Sequence, residues 1–230
     1  MKNLKRAFGI IASIAVIVIL LISAFEIGAY SDFGWYKKEY AKYEVLEDLE
    51  MEMENAMQVT KEMMAYLRGN RDDLVVDTVV DGEEREFFND REKAHMVDVQ
   101  NLFIGGLWIR RIALLVFVLA IVAMIKTKAD WKRLLSKSFL LGAGTFIGIT
   151  AIAGLIVMSN FNKYFLMFHE LFFNNDLWLL NPETDLLIRM LPEGLFLDMV
   201  VRIGLIFLLL LSTGVVISIV TLYKSKNKNN

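Results

Sequence analysis

Two histidines are the only imidazoles among 230 residues, and each stands in company that would alter its chemistry. His95 falls in NDREKAHMVDVQNLF, where helical spacing puts Arg91, Glu92, Asp98 and Val99 at i−4, i−3, i+3 and i+4. Glu92 or Asp98 is placed to hold one ring nitrogen and fix the tautomer. His169 falls in FNKYFLMFHELFFNNDLW, with seven aromatic rings and two acids in the 18 residues from Phe161 to Trp178. Its helical neighbours Phe165, Phe172 and Phe173 make an apolar, confined setting, and burial there favours the neutral ring. A neutral imidazole near pH 7 is what a general base requires. The pair therefore suits acid–base work. Plainer explanations exist for each: a histidine beside carboxylates is most often a surface ion pair, and an aromatic stripe at helical spacing is most often core. A metal site is not expected, since His95 and Asp98 have no closely spaced third and fourth ligands. The chain has no cysteine, hence no thiol nucleophile and no disulfide framework.

What would hold such residues is a membrane protein. Hydrophobic residues make up 56% of the chain, too many for an ordinary soluble domain, and the charges are segregated. Four apolar runs, 8–30, 107–125, 139–158 and 200–223, reach the roughly 20 residues that a bilayer core demands. The first follows Lys2, Lys5 and Arg6, but its length exceeds that of a signal peptide's apolar core, so a retained anchor is expected. Basic residues orient the spans. The N-terminus, the 126–138 loop (Lys126, Lys128, Lys132, Arg133, Lys137) and the tail (Lys224, Lys226, Lys228) belong in the cytoplasm. The acidic stretches 31–106 and 159–199 then lie outside, both histidines fall at a similar depth near the outer face, and no basic groove for nucleic acid remains. The Lys/Asn tail from 224 to 230 reads as disordered.

The outer stretches have patterns of their own. Met53, Met57, Met64 and Leu67 recur at helical spacing, and Gly69 suits the position after a helix end. LVVDTVV and EEREFF flank Asp81-Gly82, a hairpin signal. Asn89 with Glu92 resembles a capping box opening the helix that carries His95. A small α/β cap follows. From 159 to 199, Phe161, Phe165, Phe168 and Phe172 share one helix face, Asn181-Pro182 suggests a second helix start, and short interfacial helices are expected. Gly144 and Gly148 form a small-xxx-small pair read as helix packing. Trp35, Trp108, Tyr164 and Trp131 suit interfacial belts. Arg110, Arg111 and Arg202 lie in outer turns where snorkelling or a lipid headgroup would satisfy them.

FNDREKAHMVDVQNLF, with Arg-Glu before His-Met and then Asp-Val, resembles one signature of the lipoprotein intramolecular transacylase family. FHELFFNNDLWLLNPETDLLIRMLPEGLF is similar to that family's second signature, and YLRG at Tyr66–Gly69 and Trp35-Tyr36 fit as well. The likeness covers essentially the whole chain. It implies a four-span bacterial plasma-membrane acyltransferase, with no cofactor, acting on diacylglyceryl-modified lipoproteins among membrane lipid. The reaction implied moves the sn-2 acyl chain onto the α-amine of the N-terminal cysteine, with His95 and His169 catalytic. Arg91, Trp178 and Asp185 join Glu92, Asp98, Phe172 and Phe173 as candidate positioning residues. Where the family pattern has Asp before the proline, this chain has Asn181. A membrane-anchored sensor or partner-binding cap, and an extracytoplasmic lipid hydrolase, are the competing readings.

Overall fold

The computed structural model describes residues 2–227; Lys228 and the side chain of Lys2 lie outside what is described. Four helices are long and apolar enough to cross a membrane: α1 (Lys2–Tyr30), α5 (Asp90–Lys126), α6 (Trp131–Ser159) and α9 (Glu193–Asn227). Each is longer than its apolar run, because helix costs little to extend once nucleated. The tail expected to be disordered is helical as far as Asn227.

Among the described residues, 2–27, 107–159 and 203–227 form one compact unit. Its helices meet through small residues. A Cβ on Gly142 would stand 2.9 Å from the Ser13 hydroxyl of α1 and 3.2 Å from Ile17. A Cβ on Gly9 would stand 2.9 Å from Ser138 of α6. Gly144 and Gly148 behave otherwise. Nothing lies within 4 Å of a Cβ at either position, so among the described residues the small-xxx-small pair packs no helix. Close approach runs through Gly142 instead, which sits on a different face of α6. Phe139 and Phe146 of α6 pack toward α9, the latter 5.2 Å from Phe207 ring to ring. Arg110 does not snorkel freely; it pairs with Glu26 of α1. Arg111 lies over the Trp108 ring at 4.8 Å.

Residues 28–106 and 160–202 form the second unit. It holds α2 (Gly34–Lys42), α3 (Val45–Leu49), α4 (Met53–Leu67), strands β1 (Asp77–Val80) and β2 (Glu83–Glu86), the start of α5, α7 (Phe161–Phe172) and α8 (Leu186–Met190). The α4 helix ends as its sequence anticipates. Gly69 takes φ +76, its N–H donates to Tyr66, and the Asn70 N–H donates to Ala65. That pairing satisfies two carbonyls at the helix end. The strands pair antiparallel with Val80 opposite Glu83, and Asp81 and Gly82 take φ 54 and 76 in the turn. Positive φ at both positions matches the right-handed strand twist. Val80 and Phe87 pack inward with Tyr40, Leu49, Val59 and Met63 in one core. Arg202 lies 5.0 Å from the Trp35 ring and 4.0 Å from Asp32.

Two details of this unit depart from sequence expectation. No helix starts at Pro182: the Asn181 side chain accepts the Glu183 N–H at 3.1 Å and closes a turn, and α8 begins only at Leu186. The Asn-Pro signal marks turns as readily as helix starts. The aromatic stripe of α7 is also not a buried face. Phe168 and Phe172 are 44% and 51% exposed, and the one buried residue of the helix is His169.

Candidate active site

The capping box puts His95 in place. Asn89 donates its N–H to Glu92 at 2.7 Å, and the Glu92 N–H donates back to the Asn89 side chain at 3.0 Å. Two orphan donors at the start of α5 are thereby satisfied. Gly105 and Gly106 do not interrupt α5, which runs through them unbroken. His95 falls in its second turn and is 6% exposed.

His169 comes from the other chain segment, near the end of α7. Asn160 caps that helix by accepting the Lys163 N–H at 3.1 Å, and Phe173 closes it with an N–H to the His169 carbonyl at 2.8 Å. The two imidazoles, 74 positions apart in sequence, lie 6.0 Å apart ring to ring at an angle of 36°. Phe173 is buried and touches both, at 5.3 Å from His95 and 5.5 Å from His169. Phe165, Phe168 and Trp178 complete the wall around His169 at 4.4, 5.4 and 5.1 Å.

The electrostatics of the two rings differ in cause. Burial pushes the His95 imidazole down to about 4, with His169 adding to the fall and Asp98 opposing it. Burial also lowers His169, while a bond to the Phe165 carbonyl opposes that shift. Both rings are therefore neutral at pH 7. The Phe165 contact is 2.7 Å from Nδ1, and a carbonyl can only accept. Nδ1 must carry the hydrogen, so the lone pair of His169 sits on Nε2.

Neither flanking carboxylate holds His95, and its buried Nδ1 has no hydrogen-bond partner among the described residues. Glu92 is fully buried and committed elsewhere: it accepts the Asn89 N–H and, at 2.6 Å, the Leu187 N–H at the start of α8. Burial raises its pKa, against the opposing pull of those bonds. Asp98 accepts from the Asn175 side chain at 2.8 Å. Asp185 is buried and accepts the Asn181 N–H and the Asn89 amide, each at 2.7 Å. Burial works against its ionisation, but the bonds from Asn181, Asn89 and Thr184 and the charge of Arg91 hold its carboxyl below the usual range. Arg91 bonds the Asp176 carbonyl.

These contacts make one clamp. Asn89, just before α5, and Arg91, Glu92 and Asp98 on its opening turns each reach the 175–187 segment. The candidates thus divide plainly. His95, His169, Phe173 and Trp178 form the aromatic site, and Arg91, Glu92, Asp98 and Asp185 tie its two segments together. Phe172 belongs to neither; it packs on Phe168 at 4.7 Å and half faces outward. Asn181 is a turn former whose side chain accepts the Glu183 N–H and whose own N–H donates to Asp185. Asn175 and the Phe165 carbonyl escaped sequence reasoning, because no spacing marks an amide or a carbonyl whose partner is distant in the chain. Among the described residues, no group of three metal-ligating side chains is assembled.

Four apolar helices and a second unit that holds a hairpin and a buried imidazole pair describe a multi-pass membrane protein. A sequence profile described as lipoprotein intramolecular transacylase Lit matches residues 10–196. The chain belongs to that family of acyltransferases. Its fold is similar to an in meso structure of the membrane-integral lipoprotein intramolecular transacylase Lit from Bacillus cereus, with a TM-score of 0.74. Identity is 20%, over 100% of this chain and 99% of that one. Two variants of the Bacillus cereus protein, in which a histidine is replaced by alanine or by arginine, match with TM-scores of 0.72 at 20% identity. They cover 99% of this chain and 96% and 95% of theirs. No curated protein matches.

Proposed function

We propose that this chain moves the sn-2 acyl group of a lipoprotein's S-diacylglyceryl cysteine onto the α-amine of that same cysteine. The observation that carries the reading is the buried pair of neutral imidazoles 6.0 Å apart, one with its tautomer locked. The basic termini and the 126–138 loop are taken as cytoplasmic, which sets the histidines on the extracytoplasmic face.

The reaction closes an eight-membered ring from the amine nitrogen through Cα, Cβ, sulfur, two glyceryl carbons and the ester oxygen to the acyl carbon. Folding a mobile lipid into that geometry is the principal entropic obstacle. Holding reactants in near-attack geometry contributes on the order of 7–11 kcal/mol. Phe165, Phe168, Phe173 and Trp178 supply an apolar wall suited to that task. The unprotonated amine attacks the ester carbonyl while Nε2 of His169 takes its proton. The neutral His95 ring donates an N–H to the oxyanion that forms. Collapse then breaks the bond between acyl carbon and sn-2 oxygen, and the His169 imidazolium returns its proton to that oxygen. Atoms balance: one ester becomes one amide and one alcohol. His95 acts as a hydrogen-bond donor rather than a proton source, because no carboxylate backs its Nδ1. The transfer is internal to the substrate, so it requires no acyl-enzyme and no protein thiol.

A synthetic diacylglyceryl lipopeptide with a free N-terminus tests this. Transacylation leaves its mass unchanged, blocks the amine and alters fragmentation; hydrolysis removes one acyl chain, and simple binding does neither. His169→Ala is expected to lower turnover by about 100-fold or more, in line with loss of a general base. His95→Ala removes an oxyanion donor and is expected to cost a similar factor. Full turnover in both variants would refute the catalytic assignment.

A further inference from the structure

A second site lies in the first unit, at the ends of the spans. Lys5 and Arg6 of α1, Lys128 and Asp130 of the turn between α5 and α6, and Arg133 and Lys137 of α6 line a cleft of about 350 Å³. That volume is within the range of small-ligand sites. Five cations face one carboxylate. Asp130 offsets only one of them, and its side chain accepts the Arg133 N–H at 3.2 Å at the start of α6. Among the described residues, none of the five cations makes an ion pair with a carboxylate. The turn that closes the cleft is specified too: Lys128 takes the left-handed φ of 51, and its carbonyl accepts from Lys5 at 3.4 Å. An excess of basic residues at one end of a membrane bundle is expected from topology alone. Their convergence on one concave surface with a single counter-charge is not.

We infer that this cleft binds the phosphodiester headgroup of an anionic glycerophospholipid. Lys5 and Arg6 stand just before the first apolar run and Lys137 just before the third, at the level where lipid phosphates sit. Basic pockets between membrane helices recognise such headgroups through charge attraction that salt weakens. The site is separate from the imidazole pair and does not depend on the reaction assigned to it.

The test titrates the full-length protein in detergent with dioctanoyl-phosphatidylglycerol and reads bound lipid by native mass spectrometry and thermal shift. Dioctanoyl-phosphatidylcholine and inorganic phosphate serve as parallel ligands. The glycerol lipid is expected to bind and stabilise, and the choline lipid to do neither. A variant combining Lys5→Gln, Arg6→Gln and Lys137→Gln is expected to bind phosphatidylglycerol on the order of 100-fold more weakly, given the usual gain per basic residue. A variant of equal charge combining Lys132→Gln, Lys224→Gln and Lys226→Gln, outside the cleft, is expected to bind as the unaltered protein does. Lys137→Gln alone, an exposed single change, is expected to weaken binding about fivefold. Unchanged affinity in the cleft variants overturns the site. Stabilisation by inorganic phosphate equal to that by the lipid, at the same concentration, overturns the lipid assignment.

Discussion

Replacing Glu92 with glutamine changes one oxygen to an amide group and leaves the side chain's shape intact. In the native protein the two carboxylate oxygens accept the Asn89 N–H at 2.7 Å and the Leu187 N–H at 2.6 Å, with the side chain fully buried. Glutamine can accept only one of these bonds, and its NH₂ group is turned toward the other donor. A hydrogen bond to a charged acceptor contributes about 1.5–3 kcal/mol. Burying the carboxylate already costs something, as the direction of its shift indicates. The net loss should therefore be about 1–2 kcal/mol, a fall of several degrees in Tm for a chain of this size. Activity should suffer more than stability. Glu92 joins the turn of α5 just before His95 to the start of α8, and displacing a reacting group by about 1 Å can cost on the order of 100-fold in rate. Conversion of the diacylglyceryl lipopeptide, followed by mass spectrometry at saturating and limiting substrate, separates kcat from KM. A kcat reduced roughly tenfold to 100-fold with KM little changed is the expected result. Lowered Tm with kcat intact would mean that Glu92 holds the cap together without positioning His95, and the clamp argument would fail.

Acid should destabilise the protein through His95. Its folded value is about 4 and its ordinary value 6.5, so the unfolded chain binds the proton first. The stability it contributes is complete above pH 6.5 and is lost as pH falls from 6.5 toward 4, by at most about 3 kcal/mol. Thermal melts at pH 7 and 4.5 should show a smaller acid penalty for His95→Asn than for the unaltered protein, and equal penalties would contradict the buried neutral ring. The helix contacts make a separate prediction. Gly142→Leu must displace Ser13 and Ile17 and should cost roughly 1–3 kcal/mol by overpacking, whereas Gly148→Leu meets nothing within 4 Å of its Cβ and should leave the monomer's melting temperature unchanged.

Much of this protein is written in short-range pattern. The four spans follow from apolar run length, because a bilayer leaves a helix as the way to satisfy every backbone donor. Asp81-Gly82 specifies its hairpin and Gly69 its helix end, since positive φ is a local steric property. The Asn89–Glu92 capping box is equally local, spanning three residues. Tertiary structure decided the rest. His95 meets His169 where the 175–187 segment is hydrogen-bonded to the start of α5, and no spacing encodes a contact between residues 74 positions apart. It also reassigned Glu92 and Asp98 from the ring of His95 to Leu187 and Asn175. A carboxylate one helical turn away competes with every donor that folding brings near, and here the distant donors won. Gly144 and Gly148 carry the same lesson within the membrane. Their spacing is right for close packing, yet the face of α6 that meets α1 is the one through Gly142.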